Sequence, residues 1–314
     1  MFTAIIVMLV ILAIVLGLTR YWIGGFPNIP IKASGPFKWA VAQAIIRACF
    51  KDGGIQADPT RYREQYWTRD FDLAMMPAAI QMPGGALYAR RHLFNLAAQQ
   101  RPDGTIPIIF LHGLKGHITF IWDKVVRSIT SRRLSFMLSK YLKGELWNLT
   151  PGTTDSELHY VRAFQTYTSK IPDNELAHAL NSSVEKALAK LIGKLVPTNV
   201  PDTLLMLGAD WRDTMDQELA RKPLLSNGAM AYGVLLNARK FKLAVALKHG
   251  LETREGGLLA DYPGAERPDP LGISLGVLEG LISEEHFPEA LARMRSVDSK
   301  YGVTIKCRHN HQNP

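Results

Sequence analysis

Residues 61 to 77 read Arg-Tyr-Arg-Glu-Gln-Tyr-Trp-Thr-Arg-Asp-Phe-Asp-Leu-Ala-Met-Met-Pro. In a short span they gather aromatic faces (Tyr62, Tyr66, Trp67), a forked cation (Arg69) and two carboxylates (Asp70, Asp72). The mixture suits a sugar: rings stack on the apolar C–H faces of a pyranose, while Arg and Asp serve vicinal hydroxyls as donor and acceptor. A loop-to-helix junction with an N-cap and an ion pair uses the same residue types. The stretch therefore gains meaning only beside others like it.

Three such stretches follow. Residues 99 to 117 form a Pro/Gly-punctuated loop carrying Asp103, His112 and His117, where Pro-Asp-Gly at 102–104 also reads as a type I turn. Residues 145 to 160 bring Asp155 and Glu157 to the point where a helix should begin, so a capping role competes with a catalytic one. Residues 208 to 217, Gly-Ala-Asp-Trp-Arg-Asp-Thr-Met-Asp-Gln, set Asp210, Asp213 and Asp216 around Trp211 after an apolar run. A carboxyl against an indole in a poorly solvated pocket has its ionised form disfavoured, which moves its pKa towards the range a general acid needs. A carboxylate-rich helix cap is the competing account of this stretch.

Between these stretches the periodicity is helical. Trp39, Ala40, Ala42, Ile45, Ile46 and Cys49 predict a helix from Pro36 that Gly53-Gly54 stops. Further helices are expected near 69–81, 85–100, 117–142, 155–169, 173–194, 226–250, 270–283 and 285–298, with strands only at Ile106–Leu111 and Thr203–Leu207. The body is thus an all-α fold whose loops carry the polar and aromatic residues.

With these stretches in order, the chain resembles the six-hairpin, (α/α)6-toroid glycosidase superfamily of glucoamylases, debranching-enzyme glucosidase domains, trehalases and neutral invertases. The resemblance covers residues 36 to about 305. Tyr66-Trp67-Thr68-Arg69-Asp70 is similar to the element that holds the non-reducing sugar, and Asp210-Trp211-Arg212-Asp213 to the element that supplies the general acid. The helix Leu224–Tyr232 and the Arg267-Pro268-Asp269 opening of a late helix also have counterparts. The resemblance implies Asp213 as acid and Arg69 and Asp70 as the holders of the terminal sugar; Trp67, Asp103, Asp210 and Trp211 are further candidate sugar ligands, and the expected reaction is inverting hydrolysis of an α-linked glucose-type bond. The family's general base comes from a late segment without a counterpart here, and the helices fall about one hairpin short of the full toroid. Asp155, Glu157 or Glu266 then takes the base role, or the domain is an inactive glycan-binding module. Inversion places the second carboxylate roughly 6.5 to 9.5 Å from the acid.

No metal or organic cofactor is expected, since two carboxylates and a water suffice. Cys49 and Cys307 cannot form a disulfide framework, no Cys/His spacing resembles a zinc site, and His309 and His311 read as a polar tail. The formal charge of +9 is spread along the chain without a basic stripe, so nucleic acid is not an expected partner. The expected partner is an oligosaccharide or glycan.

Residues 2 to 18 are almost uninterruptedly apolar, and Tyr21 and Trp22 follow as an interfacial pair. With no basic n-region and a poor cleavage site at Gly24-Gly25, residues 1–23 read as an uncleaved transmembrane anchor and 24–35 as a stiff linker to a single domain, 36–314. Arg20, Lys32 and Lys38 place the body in the cytoplasm, whereas the sequons at Asn148 and Asn181 would matter only on a lumenal face.

Overall fold

The computed structural model describes residues 37–59, 64–114, 116–118, 120, 155–208, 222–265, 268–296, 298–299 and 302–303. The expected anchor and linker, the 209–221 segment, Glu266, and most of the expected 117–142 helix lie outside the described residues. The chain is mostly helical, as its periodicity predicts, and divides into two compact units, one drawn from residues 1–95 and 109–143, the other from 96–108 and 144–314. Among the described residues no helix is long and apolar enough to cross a membrane.

The first unit opens with α1 (Phe37–Ala48), which ends earlier than expected. Gly53 and Gly54 do not stop it; they belong to a hairpin, β1 (Phe50–Lys51) with β2 (Gly54–Ile55). The reason is close approach: a Cβ on Gly53 would lie 2.6 Å from Tyr66 Cζ, and one on Gly54 2.6 Å from His92 Cβ. The decisive stretch then enters as β3 (Gln65–Trp67), paired antiparallel with β4 (Ile109–Leu111) so that Tyr66 faces Phe110 across the ladder. Only the second half of the expected Ile106–Leu111 strand forms.

The expected 69–81 helix is built in three pieces: α2 (Thr68–Asp70), a π segment (Phe71–Met75) and α3 (Met76–Ala79). The amide of Met76 reaches back five residues to the Phe71 carbonyl. Pro77 explains the widening, because its ring has no N–H to donate and crowds the carbonyl four residues earlier. Helix α4 (Gly85–Ala98) supplies the buried His92, whose ring stacks on Phe71 at 3.8 Å and whose Nδ1 accepts from the Ile55 amide.

In the second unit, α5 (Asp155–Lys170) and α6 (Asn174–Ile192) form a helical hairpin, with Asp173 capping α6 by accepting from the Leu176 amide at 2.9 Å. A hairpin of β5 (Leu195–Pro197) and β6 (Leu204–Met206) follows, with Val196 opposite Leu205. The predicted 226–250 helix is in fact two, α7 (Leu225–Asn237) and α8 (Phe241–Thr253). Arg239 sits in the left-handed region (φ 57°), and the amides of Arg239 and Lys240 bond to the Leu236 and Leu235 carbonyls, closing α7 in a Schellman arrangement. Helix α7 is apolar around nearly its whole circumference and is accordingly buried, packed against α5, α8 and α9. Asp269 caps α9 (Pro270–Leu278) by accepting from Leu271 and Gly272 amides, and Gly280 ends it before the expected limit. Helix α10 (Phe287–Arg295) and the short strands β7 (Asp298–Ser299) and β8 (Gly302–Val303) complete the described chain.

Candidate active site

Two buried carboxyls open α5. Asp155 is 4% and Glu157 3% exposed, both in the first turn, where the helix dipole favours acidic groups. Glu157 Oε1 accepts from the backbone amide of Ile106 at 3.1 Å, which ties the helix start to the 99–108 loop. Burial pushes the Glu157 carboxyl up to about 7, against the pull of the Ile106 amide and Lys190, and the neighbouring Asp155 adds to the rise. A group so placed holds its proton through the acid range and exchanges it near neutrality.

The loop that meets Glu157 is itself fixed. Gly104 donates to the Arg101 carbonyl at 3.0 Å, as the Pro-Asp-Gly reading predicts, and its φ of +88° lets the turn lie on α6, where a Cβ would meet the Lys186 carbonyl at 2.4 Å. Asp103 folds back onto the turn: Oδ1 accepts from the Thr105 amide (3.0 Å) and hydroxyl (2.7 Å), and Oδ2 from Lys190 Nζ at 2.9 Å. The Thr105 hydroxyl above all, with the Thr105 amide and Lys190, holds this carboxyl well below the usual range. Asp103 and Glu157 are thus both fixed by this loop, with Lys190 acting on both, and Asp155 lies near enough to Glu157 to raise its pKa.

In the first unit, Trp67 is half-buried at the end of β3, and Arg69 and Asp70 follow on α2 with partly exposed side chains, Nη2 to Oδ2 4.0 Å apart. They form a loose pair at the surface. Asp72 is wholly buried in the π segment. Tyr66, expected as a sugar-stacking face, is 0% exposed: Phe110 covers one face at 4.7 Å, and its hydroxyl donates to Glu64 Oε2 at 2.8 Å while accepting from the Gly53 amide. It is a core residue. Gln65 shares the face of β3 with Trp67 and is fully buried, with no partner for either amide atom among the described residues.

Asp210, Trp211 and Asp213 lie outside the described residues, but the two ends of their segment do not. On the near side, Asn227 Nδ2 donates to the Gly208 carbonyl at 2.9 Å from within the buried face of α7. On the far side, the Arg254 guanidinium donates to the carbonyls of Pro223, Ala260, Asp261 (3.1 Å) and Gly257 (3.3 Å). Burial pulls Arg254 down to about 10, opposed by Asp261. Neither Asn227 nor Arg254 was marked by the sequence reading, nor was His159, buried one turn beyond Asp155. Arg162, a turn further on, pairs at 2.8 Å with Glu279, the residue that follows α9. Helical spacing from Asp155 at steps of four and seven is the signal that could have found the last two. Among the described residues no group of His, Cys, Asp and Glu side chains is arranged to hold a metal.

No family model matches the sequence, and no curated protein does. Solved structures are similar in fold. A glycosidase variant in complex with glucose matches over 86% of this chain and 74% of its own, at 15% identity and a TM-score of 0.53. Two further single-residue variants described as glycosidases match over the same shares at 15% identity and a TM-score of 0.52. What the likeness establishes is a glycosidase-like fold.

Proposed function

We propose that this chain is a membrane-tethered glycoside hydrolase of the six-hairpin (α/α)6 type, cleaving an O-glycosidic bond of an α-linked glucose-type sugar with inversion. The observation that carries the reading is the fold likeness to glycosidases, one of them holding glucose, across 86% of the chain. The buried carboxyl pair at the start of α5 adds chemical support.

In this reading Arg69 and Asp70 hold the terminal sugar through vicinal hydroxyls, with Trp67 and Trp211 as stacking faces. Asp213 protonates the leaving oxygen, and Asp210 and Asp103 are further polar ligands. The pKa of Glu157 gives the α5 carboxyls separate tasks. A base must be ionised when water attacks, and a carboxyl near 7 is protonated half the time at neutrality. Glu157 therefore donates to a sugar hydroxyl, and Asp155 assists the attacking water. Neither task calls for a metal or an organic cofactor.

The test is release of reducing sugar from a panel of α- and β-linked oligosaccharides and aryl glycosides by the full chain and by Asp213→Asn. Turnover by the parent with a loss of roughly 2 to 4 kcal/mol of transition-state stabilisation in the variant supports the reading. Sugar binding without turnover by either protein replaces it with a tethered glycan-binding module, and neither binding nor turnover overturns both.

A further inference from the structure

Helix α8 has two apolar rows where a surface helix needs one. Ala244, Leu247 and Leu251 are buried against the second unit's core. Phe241 and Val245, one turn apart on another side, are 58% and 65% exposed. Across from them the β5–β6 hairpin tip presents Pro197, Val200 and Pro201, and the two together line an open groove of about 780 Å³. Exposed large apolar side chains that converge on one groove mark an interaction surface, whereas scattered ones do not.

The charges around it select the partner. Arg239, Lys240 and Lys242 are exposed at the start of α8, and from 239 to 248 the chain holds four cations (Arg239, Lys240, Lys242, Lys248) and no carboxylate. Among the described residues that line the groove Asp202 is the one acid, and Glu252 is engaged by Lys248 at 3.7 Å. An apolar row flanked by basic side chains is the pattern of a helix lying in a lipid interface, its rings at the acyl boundary and its cations on headgroup phosphates. The apolar 2–18 segment supplies the bilayer, and Arg20, Lys32 and Lys38 after it favour the cytoplasmic side, whose leaflet is the anionic one.

We infer that the groove between the β5–β6 tip and the N-terminal half of α8 rests on the anionic leaflet of the membrane that tethers the chain, with Phe241, Val245 and Val200 in the interface and Arg239, Lys240 and Lys242 on lipid phosphates. This rests on the tethered reading above. A body tethered at one end alone can turn more than one face to the bilayer, and a second, weaker contact fixes which face it turns to solvent.

The experiment uses the full chain with Cys307→Ser, reconstituted in nanodiscs of phosphatidylcholine alone or mixed with phosphatidylserine. A nitroxide on Val245→Cys reads accessibility to oxygen and to a water-soluble nickel chelate; Glu285→Cys, exposed and outside the groove, is the control. The expected result is an oxygen-dominated environment for the Val245 probe in the mixed discs alone. Arg239→Glu, Lys240→Glu and Lys242→Glu together should lower the docked-to-undocked ratio roughly a hundredfold or more. A nickel-accessible probe in both discs overturns the proposal. Spin–spin broadening at that probe overturns it in favour of a second copy of the chain as occupant. Co-elution with the discs is read separately: a chain that co-elutes but does not dock keeps the tether and loses the groove, and one that never co-elutes loses both.

Discussion

The side-chain amide of Asn227 donates from Nδ2 to the carbonyl of Gly208 at 2.9 Å, in a position fully closed to solvent. Its own Oδ1 has no partner among the described residues, so the side chain is kept for its donor. Asn227→Ala leaves a buried carbonyl unsatisfied and should cost about 1 to 3 kcal/mol in denaturant unfolding. Asn227→Asp should add a pH dependence. The introduced carboxyl can donate to Gly208 only when protonated, which raises its folded pKa, so the variant should match the parent most closely in acid and lose stability as pH rises. Equal stability of the two variants at all pH values would remove Asn227 as the clamp on this end of the segment.

Glu157 should leave its mark on the pH dependence of stability. Its folded pKa of about 7 lies above the ordinary 4.5, so between those values the native state binds more protons than the unfolded state. Stability is then fully present below pH ~4.5, falls as pH rises through 7, and levels off above, by up to roughly 3 kcal/mol. Glu157→Gln keeps an oxygen for the Ile106 amide and cannot ionise. Its urea midpoint should be flatter than the parent's over that window, and an unchanged slope would show that the carboxyl titrates normally.

Much of the fold could be read from periodicity, and the exceptions have physical causes. Helices α5 and α6 lie where their apolar spacing and the Asp173 cap put them. The single 226–250 helix was an error of punctuation: the break falls at Ala238-Arg239-Lys240, where an arginine occupies the left-handed position that glycine or asparagine usually announces. The strand Gln65–Trp67 was hidden because it is three residues long and its partner lies beyond α4; pairing, not local propensity, makes it extended. Among the candidate site residues, carboxylates at the start of an expected helix pointed to Asp155 and Glu157. It could not reveal Asn227 or Arg254, whose roles are made by backbone carbonyls that any sequence would supply.

Arg254 should prove irreplaceable by lysine. A guanidinium spreads donors in a plane and serves carbonyls of Pro223, Gly257, Ala260 and Asp261, which an ammonium on a flexible stem cannot do together. Arg254→Lys should lower stability by about 2 kcal/mol and Arg254→Met by more, since each leaves buried carbonyls without donors. Thermal unfolding of the three proteins at one pH orders them, and a lysine variant as stable as the parent would mean that charge alone matters here.

Tyr66 and Trp67 are adjacent aromatics whose sequence reading was the same, and the structure separates them. Tyr66 has both its ring and its hydroxyl committed inside the first unit, to Phe110, Glu64 and Gly53, whereas Trp67 is half-buried and directly precedes Arg69 and Asp70. Tyr66→Phe keeps the stacked ring and removes one hydroxyl, so it should cost about 1 to 2 kcal/mol of stability and leave sugar binding unaltered. Trp67→Ala should weaken binding of the sugar found in the panel by roughly tenfold or more, the loss expected when an aromatic stacking face is removed. Titration calorimetry beside thermal unfolding reads both quantities. If Trp67→Ala changed stability alone, Trp67 would be no stacking face for a sugar.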